Sequence, residues 1–227
     1  MPRTARIAPG GMVFHVLNRA NAGARIFHKV GDYQAFLGIT KDTAREVSMR
    51  ILAYGIMPNH WHMVLWPLED GDLGTFMHRL TVTHVRRWHL HRDSVGSGHL
   101  YQGAYKSFPV EEDDHFLIVC RYVERNALRA GLARSAENWP WGSAGAHLHD
   151  VSRPNRPTLD DWPLPRPHDW LHFVNQPQTE AELAAVRDAV QRGHPFGSPG
   201  WQEATAKQLG LESTLRPRGR PRKRKRG

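Results

Sequence analysis

The chain has 227 residues, with 31 Lys+Arg against 22 Asp+Glu, one cysteine and 40% apolar residues. That length can bury a full core, which excludes disorder throughout, and a single cysteine excludes an internal disulfide framework and points to a reducing compartment. No apolar run reaches the roughly 18 residues of a membrane span and no signal-peptide segment opens the chain, so a cytoplasmic protein without a membrane partner is expected.

The charge is unevenly distributed. Eight of the 31 basic residues lie between Arg216 and Gly227, leaving 23 against 22 acidic residues in the body. The polyanion signal is therefore carried by a tail, expected to be disordered, and a nucleoid-associated location is expected with it.

In chain order, residues 12–19 alternate as a strand, and Asp32 opens a helix running to about Glu46. Residues 50–57 and 60–66 read as a hairpin around Pro58-Asn59. A helix rich in His and Arg follows over 72–91. Residues 99–110 read as another strand, with Pro109 restricting its end to an edge. Asp113 or Asp114 caps a third helix that ends at Gly131. The order β-α-β-β-α-β, with a further helix, predicts an α+β fold. Its ferredoxin-like, RRM-like antiparallel sheet carries helices on one face and leaves the other for a substrate.

Beyond residue 147 the composition changes. Six prolines between Pro154 and Pro177 mark a connecting segment, 148–178. Residues 179–215 form a small helical extension: Thr179 and Glu182 make a capping box, Gly193 ends that helix, and a second runs from Trp201 to Leu209. This pair reads equally as a DNA-binding appendage or a docking hairpin. In the tail, 216–227, Pro217-Arg218-Gly219-Arg220-Pro221 is similar to an AT-hook core, whose Arg218 and Arg220 suit a narrow A·T minor groove.

His60-Trp61-His62 carries the first chemistry. On a strand both imidazoles project from one face while Trp61, continued by Met63 and Leu65, enters the core. Such a pair is either a grip for one divalent metal or two solvent-facing or hydrogen-bonded histidines. On the third helix, Tyr122 and Asn126 are one turn apart beside an apolar stripe, so a phenol stands next to an amide oxygen.

PNHWHMVLWP (58–67), QGAYKSFPV (102–110), RYVERNALRAGL (121–132) and ENWPWGS (137–143) together resemble the REP-associated tyrosine transposases, relatives of the single-tyrosine HUH transposases. The resemblance covers about residues 8–147, and 1–147 is expected to be the catalytic domain. It implies that His60, His62 and Asn126 hold a divalent metal and that Tyr122 is the nucleophile. The chain departs from the family pattern at Ala104, where relatives often carry Arg, and at Ala127, where many carry Pro.

The resemblance implies cleavage and rejoining of single-stranded DNA at palindromic repeat hairpins through a 5′-phosphotyrosine with a free 3′-hydroxyl. A covalent intermediate conserves the bond energy, so joining needs no ATP, and no P-loop is present. Two histidines and an amide oxygen suit Mn²⁺ better than Mg²⁺ on ligand softness, while family behaviour implies that Mg²⁺ also serves. DNA contacts are expected from Arg79, Arg86 and Arg87 on the 72–91 helix, which also carries His84, and from Tyr105 and Lys106. Tyr101, Tyr105 and Phe108 either stack on bases or belong to the core. A monomer is expected. The alternative function is a catalytically silent hairpin-binding regulator on the same fold. A metal hydrolase using the His pair with the acidic cluster Glu111–Asp114 is less consistent, because that cluster is better explained as helix capping.

Overall fold

The computed structural model describes residues 7–146 and 155–216. The AT-hook-like Arg218 and Arg220 lie outside the described residues. Four strands, β1 (Val13–Arg19), β2 (Arg50–Met57), β3 (His60–Trp66) and β4 (Lys106–Val110), form one antiparallel sheet in the order β2-β3-β1-β4. Between them run α1 (Val30–Val47) and α2 (Asp72–His91), giving the expected α+β architecture. The hairpin register pairs Met57 with His60 across the two-residue Pro58-Asn59 turn. Residues 99–105, expected to begin β4, are irregular except for a single bridge between Ala20 and Tyr101.

Strand alternation sorts the sheet into two faces. Phe14 and Val16 of β1 and Trp61, Met63 and Leu65 of β3 pack against Phe36 and Leu37 of α1 and Leu73, Phe76 and Leu80 of α2. The other face is not bare. Val13, Val64, Phe108 and Val110 are covered by α3 (Asp114–Glu124), whose Phe116, Val119, Cys120 and Val123 face the sheet. Beyond α3 come α4 (Asn126–Arg129), α5 (Trp170–Asn175), α6 (Glu180–Arg192), α7 (Pro199–Leu209) and α8 (Glu212–Leu215). Trp170, Val174, Leu183 and Val186 join the same cluster. The apolar residues scattered among the prolines explain why α5 forms inside what reads as a connecting segment.

The helix expected to run unbroken to Gly131 is divided at Arg125 into α3 and α4. Gly131 closes it with a φ of 69°, in the left-handed region that glycine accepts at low cost. α6 begins at the expected capping box, Thr179 with Glu182, and ends at Gly193.

Both sheet edges are occupied. Phe196 pairs with β4, donating its N–H to the Pro109 carbonyl and accepting from Glu111 N–H. On the β2 side, Ile56 N–H donates to the Trp141 carbonyl and Ser143 N–H to the Tyr54 carbonyl. The ENWPWGS segment thus covers an edge that would otherwise present unpaired backbone groups. Gly55 of β2 sits where a Cβ would lie 2.7 Å from the Val123 carbonyl oxygen. Only glycine admits so close an approach of α3, and the approach sets where Tyr122 stands.

Candidate active site

His60, His62 and Val64 occupy the face of β3 opposite Trp61, Met63 and Leu65, as the alternation predicts. The rings of His60 and His62 lie edge to face, 5.1 Å between centroids. α3 crosses above them and delivers Tyr122, whose ring centroid is 5.7 Å from that of His62. One turn later, Asn126 Nδ2 lies 3.4 Å from His60 Nε2. The four residues singled out for chemistry therefore meet in one place, drawn from a strand and a helix far apart in sequence.

The tautomers follow from the hydrogen bonds. His60 Nδ1 lies 2.6 Å from Asn59 Oδ1, which can only accept, so the imidazole proton sits on Nδ1 and the Nε2 lone pair is left for a ligand. His62 Nδ1 is engaged by His15 Nε2 at 2.9 Å, again leaving Nε2 as its second ring nitrogen. Both histidines use Nδ1 within the protein and keep Nε2.

Burial dominates the electrostatics. It pulls His60 down to about 4, helped by the charges of Arg19 and Arg129, and His15 down to about 3. His62 falls well below the ordinary histidine range, through burial first and then its neighbours His15, His60 and Arg129. The imidazoles are neutral at pH 7, the state that metal ligation requires.

Asn126 presents its amide nitrogen towards His60, while its oxygen accepts from Arg129 Nη2 at 2.9 Å. A half-turn of the amide exchanges the two atoms. The donor set is then two imidazole nitrogens and one amide oxygen, neutral and of mixed softness, which fits a Mn²⁺- or Mg²⁺-sized cation with coordination positions left for substrate. Arg129 has a second contact, its guanidinium carbon lying 4.3 Å from the centroid of the Tyr122 ring. Tyr122 itself is buried.

His15, Asn59 and Arg129 escape a reading of sequence motifs. Arg129 was open to discovery through its i, i+3 spacing from Asn126. His15 was not, because its partner is set by the β1–β3 register, which pairs His15 with Val64 and makes His62 its diagonal neighbour.

The expected DNA contacts are spread over several surfaces. Arg86 and Tyr105 line a groove of about 790 Å³ between α2 and residues 98–105, together with Asn18 and Gln102. Among its lining residues, Gln102 donates its backbone N–H to the carbonyl of Arg19, which pairs with His60 across the strands. Arg87 lines a separate groove of about 380 Å³ with Trp88 and Arg92. Lys106 lies on a third, beside Gly193 and Leu211. Arg79 is ion-paired with Glu46 at 2.6 Å on the surface. His84, expected on the basic face of α2, is instead buried, its Nδ1 2.7 Å from the Tyr101 hydroxyl. Tyr101 and Phe108 belong to the core.

Glu111, Asp113 and His115 also come together closely enough to share a cation. Asp113 accepts from the His115 N–H at the start of α3, and Glu111 accepts from the N–H of Ser198 at the start of α7. Asp113 thereby caps α3, as the capping reading anticipates, while Glu111 instead holds the start of α7.

Residues 10–126, just over half the chain, match the family model described as IS200-like transposase. Among solved structures, one similar chain is a REP-associated tyrosine transposase bound to a REP hairpin. It is 18% identical with a TM-score of 0.52, over 72% of this chain and 96% of that one. A second, from Deinococcus radiodurans R1 and carrying a transposase designation, is 18% identical over 52% of this chain and 92% of that one, at a TM-score of only 0.38. The first likeness supports the fold. No curated protein matches the sequence. No helix among the described residues is long and apolar enough to cross a membrane.

Proposed function

Because this chain belongs to the IS200-like transposase family, we propose that it cleaves and rejoins single-stranded DNA at palindromic repeat hairpins, with Tyr122 as the nucleophile. The observation that carries this reading is the meeting of Tyr122 with His60, His62 and Asn126 on one face of the sheet. A module that only binds DNA has no need of a phenol beside two neutral, Nε2-presenting imidazoles.

His60, His62 and Asn126 would hold the divalent cation. When bound, such an ion neutralises charge on the non-bridging phosphate oxygens and orients the phosphodiester for in-line displacement. Tyr122 Oη attacks phosphorus, an O–P bond forms and the P–O3′ bond breaks. The proton lost by the phenol is balanced by the one gained at the released 3′-hydroxyl. The product is a phosphotyrosine on the 5′ end of the downstream strand, and the reverse reaction with another 3′-hydroxyl joins strands without ATP. Arg129, whose guanidinium lies over the Tyr122 ring, sets a permanent positive charge beside the region where negative charge builds.

The groove lined by Arg86, Tyr105, Asn18 and Gln102 suits an unpaired strand, with a cation for phosphate and an aromatic ring for a base. The hairpin bound to the similar REP-associated transposase supports a structured repeat as the substrate here. We assign the protein to the cytoplasm and nucleoid, acting as a monomer, with residues 1–147 as the catalytic domain and Arg218 and Arg220 adding minor-groove affinity.

The test uses hairpin-bearing single-stranded oligonucleotides labelled at either end, with Mn²⁺ or Mg²⁺. The reading expects a label at the 3′ end of the substrate to become attached to protein, and EDTA to abolish the attachment. Cleavage that leaves both labelled fragments free of protein would contradict it.

A further inference from the structure

We infer that His15 is the positioning residue for His62: its Nε2 accepts the His62 Nδ1–H and so keeps the His62 Nε2 lone pair available to a metal ion. This inference rests on the metal site proposed above.

Two neutral imidazoles that share one hydrogen bond have two ways to place its proton. If His15 Nε2–H donates, the proton of His62 is forced onto Nε2, and that nitrogen cannot ligate. If His62 Nδ1–H donates, its Nε2 carries a lone pair. The separation is 2.9 Å and both rings are buried, so no water competes for the contact.

His60 supplies the precedent within the same site. Asn59 Oδ1 accepts from its Nδ1 and so fixes Nε2 as its ligand atom. His15 completes the parallel for the second histidine, and metal-bound histidines ordinarily hold their other ring nitrogen in this way. His15 is itself gripped from several sides. Its ring centroid lies 4.8 Å from Phe108, 5.1 Å from His62 and 6.2 Å from Tyr122.

One detail separates this role from core packing. His15 Nδ1 is buried and has no hydrogen-bond partner. A ring retained only to fill space would be better replaced by an apolar one, since an unsatisfied buried polar atom destabilises the fold. With Nε2 accepting, Nδ1 carries the ring proton, so the fold bears a buried N–H without an acceptor, a cost that the lone pair turned towards His62 accounts for.

The experiment titrates the full chain with Mn²⁺ alone, following free Mn²⁺ by electron paramagnetic resonance. His60→Ala, His15→Phe and His15→Gln are compared with wild type, and each apo protein is melted. The inference expects His15→Phe to weaken Mn²⁺ binding about 10- to 100-fold while melting at or above the wild-type temperature. It expects His15→Gln, whose amide oxygen can accept the same hydrogen bond, to recover most of the affinity. Histidine ¹⁵N–¹H correlation spectra of wild type with Zn²⁺, a diamagnetic probe, should place the His62 proton on Nδ1, and this reading stands even if His15→Phe fails to fold.

Loss of binding in His60→Ala with wild-type binding in His15→Phe overturns the role of His15 and leaves the metal site standing. A His62 proton on Nε2 in the Zn²⁺-loaded protein overturns it as well. Wild-type binding in His60→Ala removes the metal site and the inference with it.

Discussion

The two faces of the sheet are built from the same strands yet do different work. The face under α1 and α2 is filled by Phe14, Val16, Trp61, Met63, Phe36 and Phe76, with a polar element at its margin where Trp61 Nε1–H donates to the Tyr101 hydroxyl. The face under α3 buries His15, His62, Asn126, Arg121 and Glu124 among its apolar residues. There α3 is tied down by polar contacts: Trp170 Nε1–H and the Ser143 hydroxyl donate to Glu124, and Arg121 donates to the carbonyls of Gln176 and Pro177. On the first face the buried polar pair His84 and Tyr101 is closed on itself within the core. The other face holds polar groups at fixed positions against a burial penalty, as the proposed metal site would require.

The sharpest break in the comparison is Trp61→Ala. It removes a fully buried side chain from the first face and should cost about 3–5 kcal/mol in denaturant unfolding. Gly55→Ala should cost about 1–3 kcal/mol by overpacking against the Val123 carbonyl. Because α3 must shift, it should also lower adduct yield in the surviving folded protein, which Trp61→Ala assayed below its unfolding temperature should not.

Asp32 and Glu124 give opposite pH signatures. Burial works to raise the Asp32 carboxyl, but the N–H groups of His28 and Lys29 and the Arg92 guanidinium outweigh it and hold it below its ordinary value. Its contribution is present above the unfolded carboxylate pKa and is lost as the pH falls through the folded value. Asp32→Asn should therefore cost about 1–3 kcal/mol at pH 7 and flatten the acid limb of the stability curve. Burial raises Glu124, with Ser143, Arg166 and Trp170 opposing. Stability linked to it is present below the unfolded pKa and lost as the pH rises through the folded one. Glu124→Gln should accordingly reduce the fall in stability as the pH rises above the unfolded carboxylate pKa, read by urea unfolding across that range. Smallest of all, Arg79→Ala breaks only an exposed pair with Glu46 and should change stability by less than about 1 kcal/mol.

What the sequence made legible follows from local rules. Period-two alternation and the Pro58-Asn59 turn placed β2, β3 and the His60/His62 face, and the apolar stripe on α3 placed Tyr122 and Asn126. Contacts that depend on strand register were out of reach. His15 reads as one polar residue in an apolar strand, and its contact with His62 spans 47 positions. Residues 99–105 read as the start of a strand but bend away from β1 after one bridge, where Tyr101 is drawn inward to Trp61 and His84. α5 was hidden by the prolines on either side of it, and the burial of His84 by a helix whose other charged residues face outward.

The central claim is that the polar face carries a tyrosine nucleophile. Its most direct test compares wild type and Tyr122→Phe on a labelled single-stranded hairpin with Mn²⁺, resolving protein–DNA adducts in SDS alongside thermal melts of both proteins. The account predicts an adduct in wild type and none in Tyr122→Phe, with no cleavage in the variant and melting temperatures alike. Strand cleavage that survives in Tyr122→Phe would contradict it.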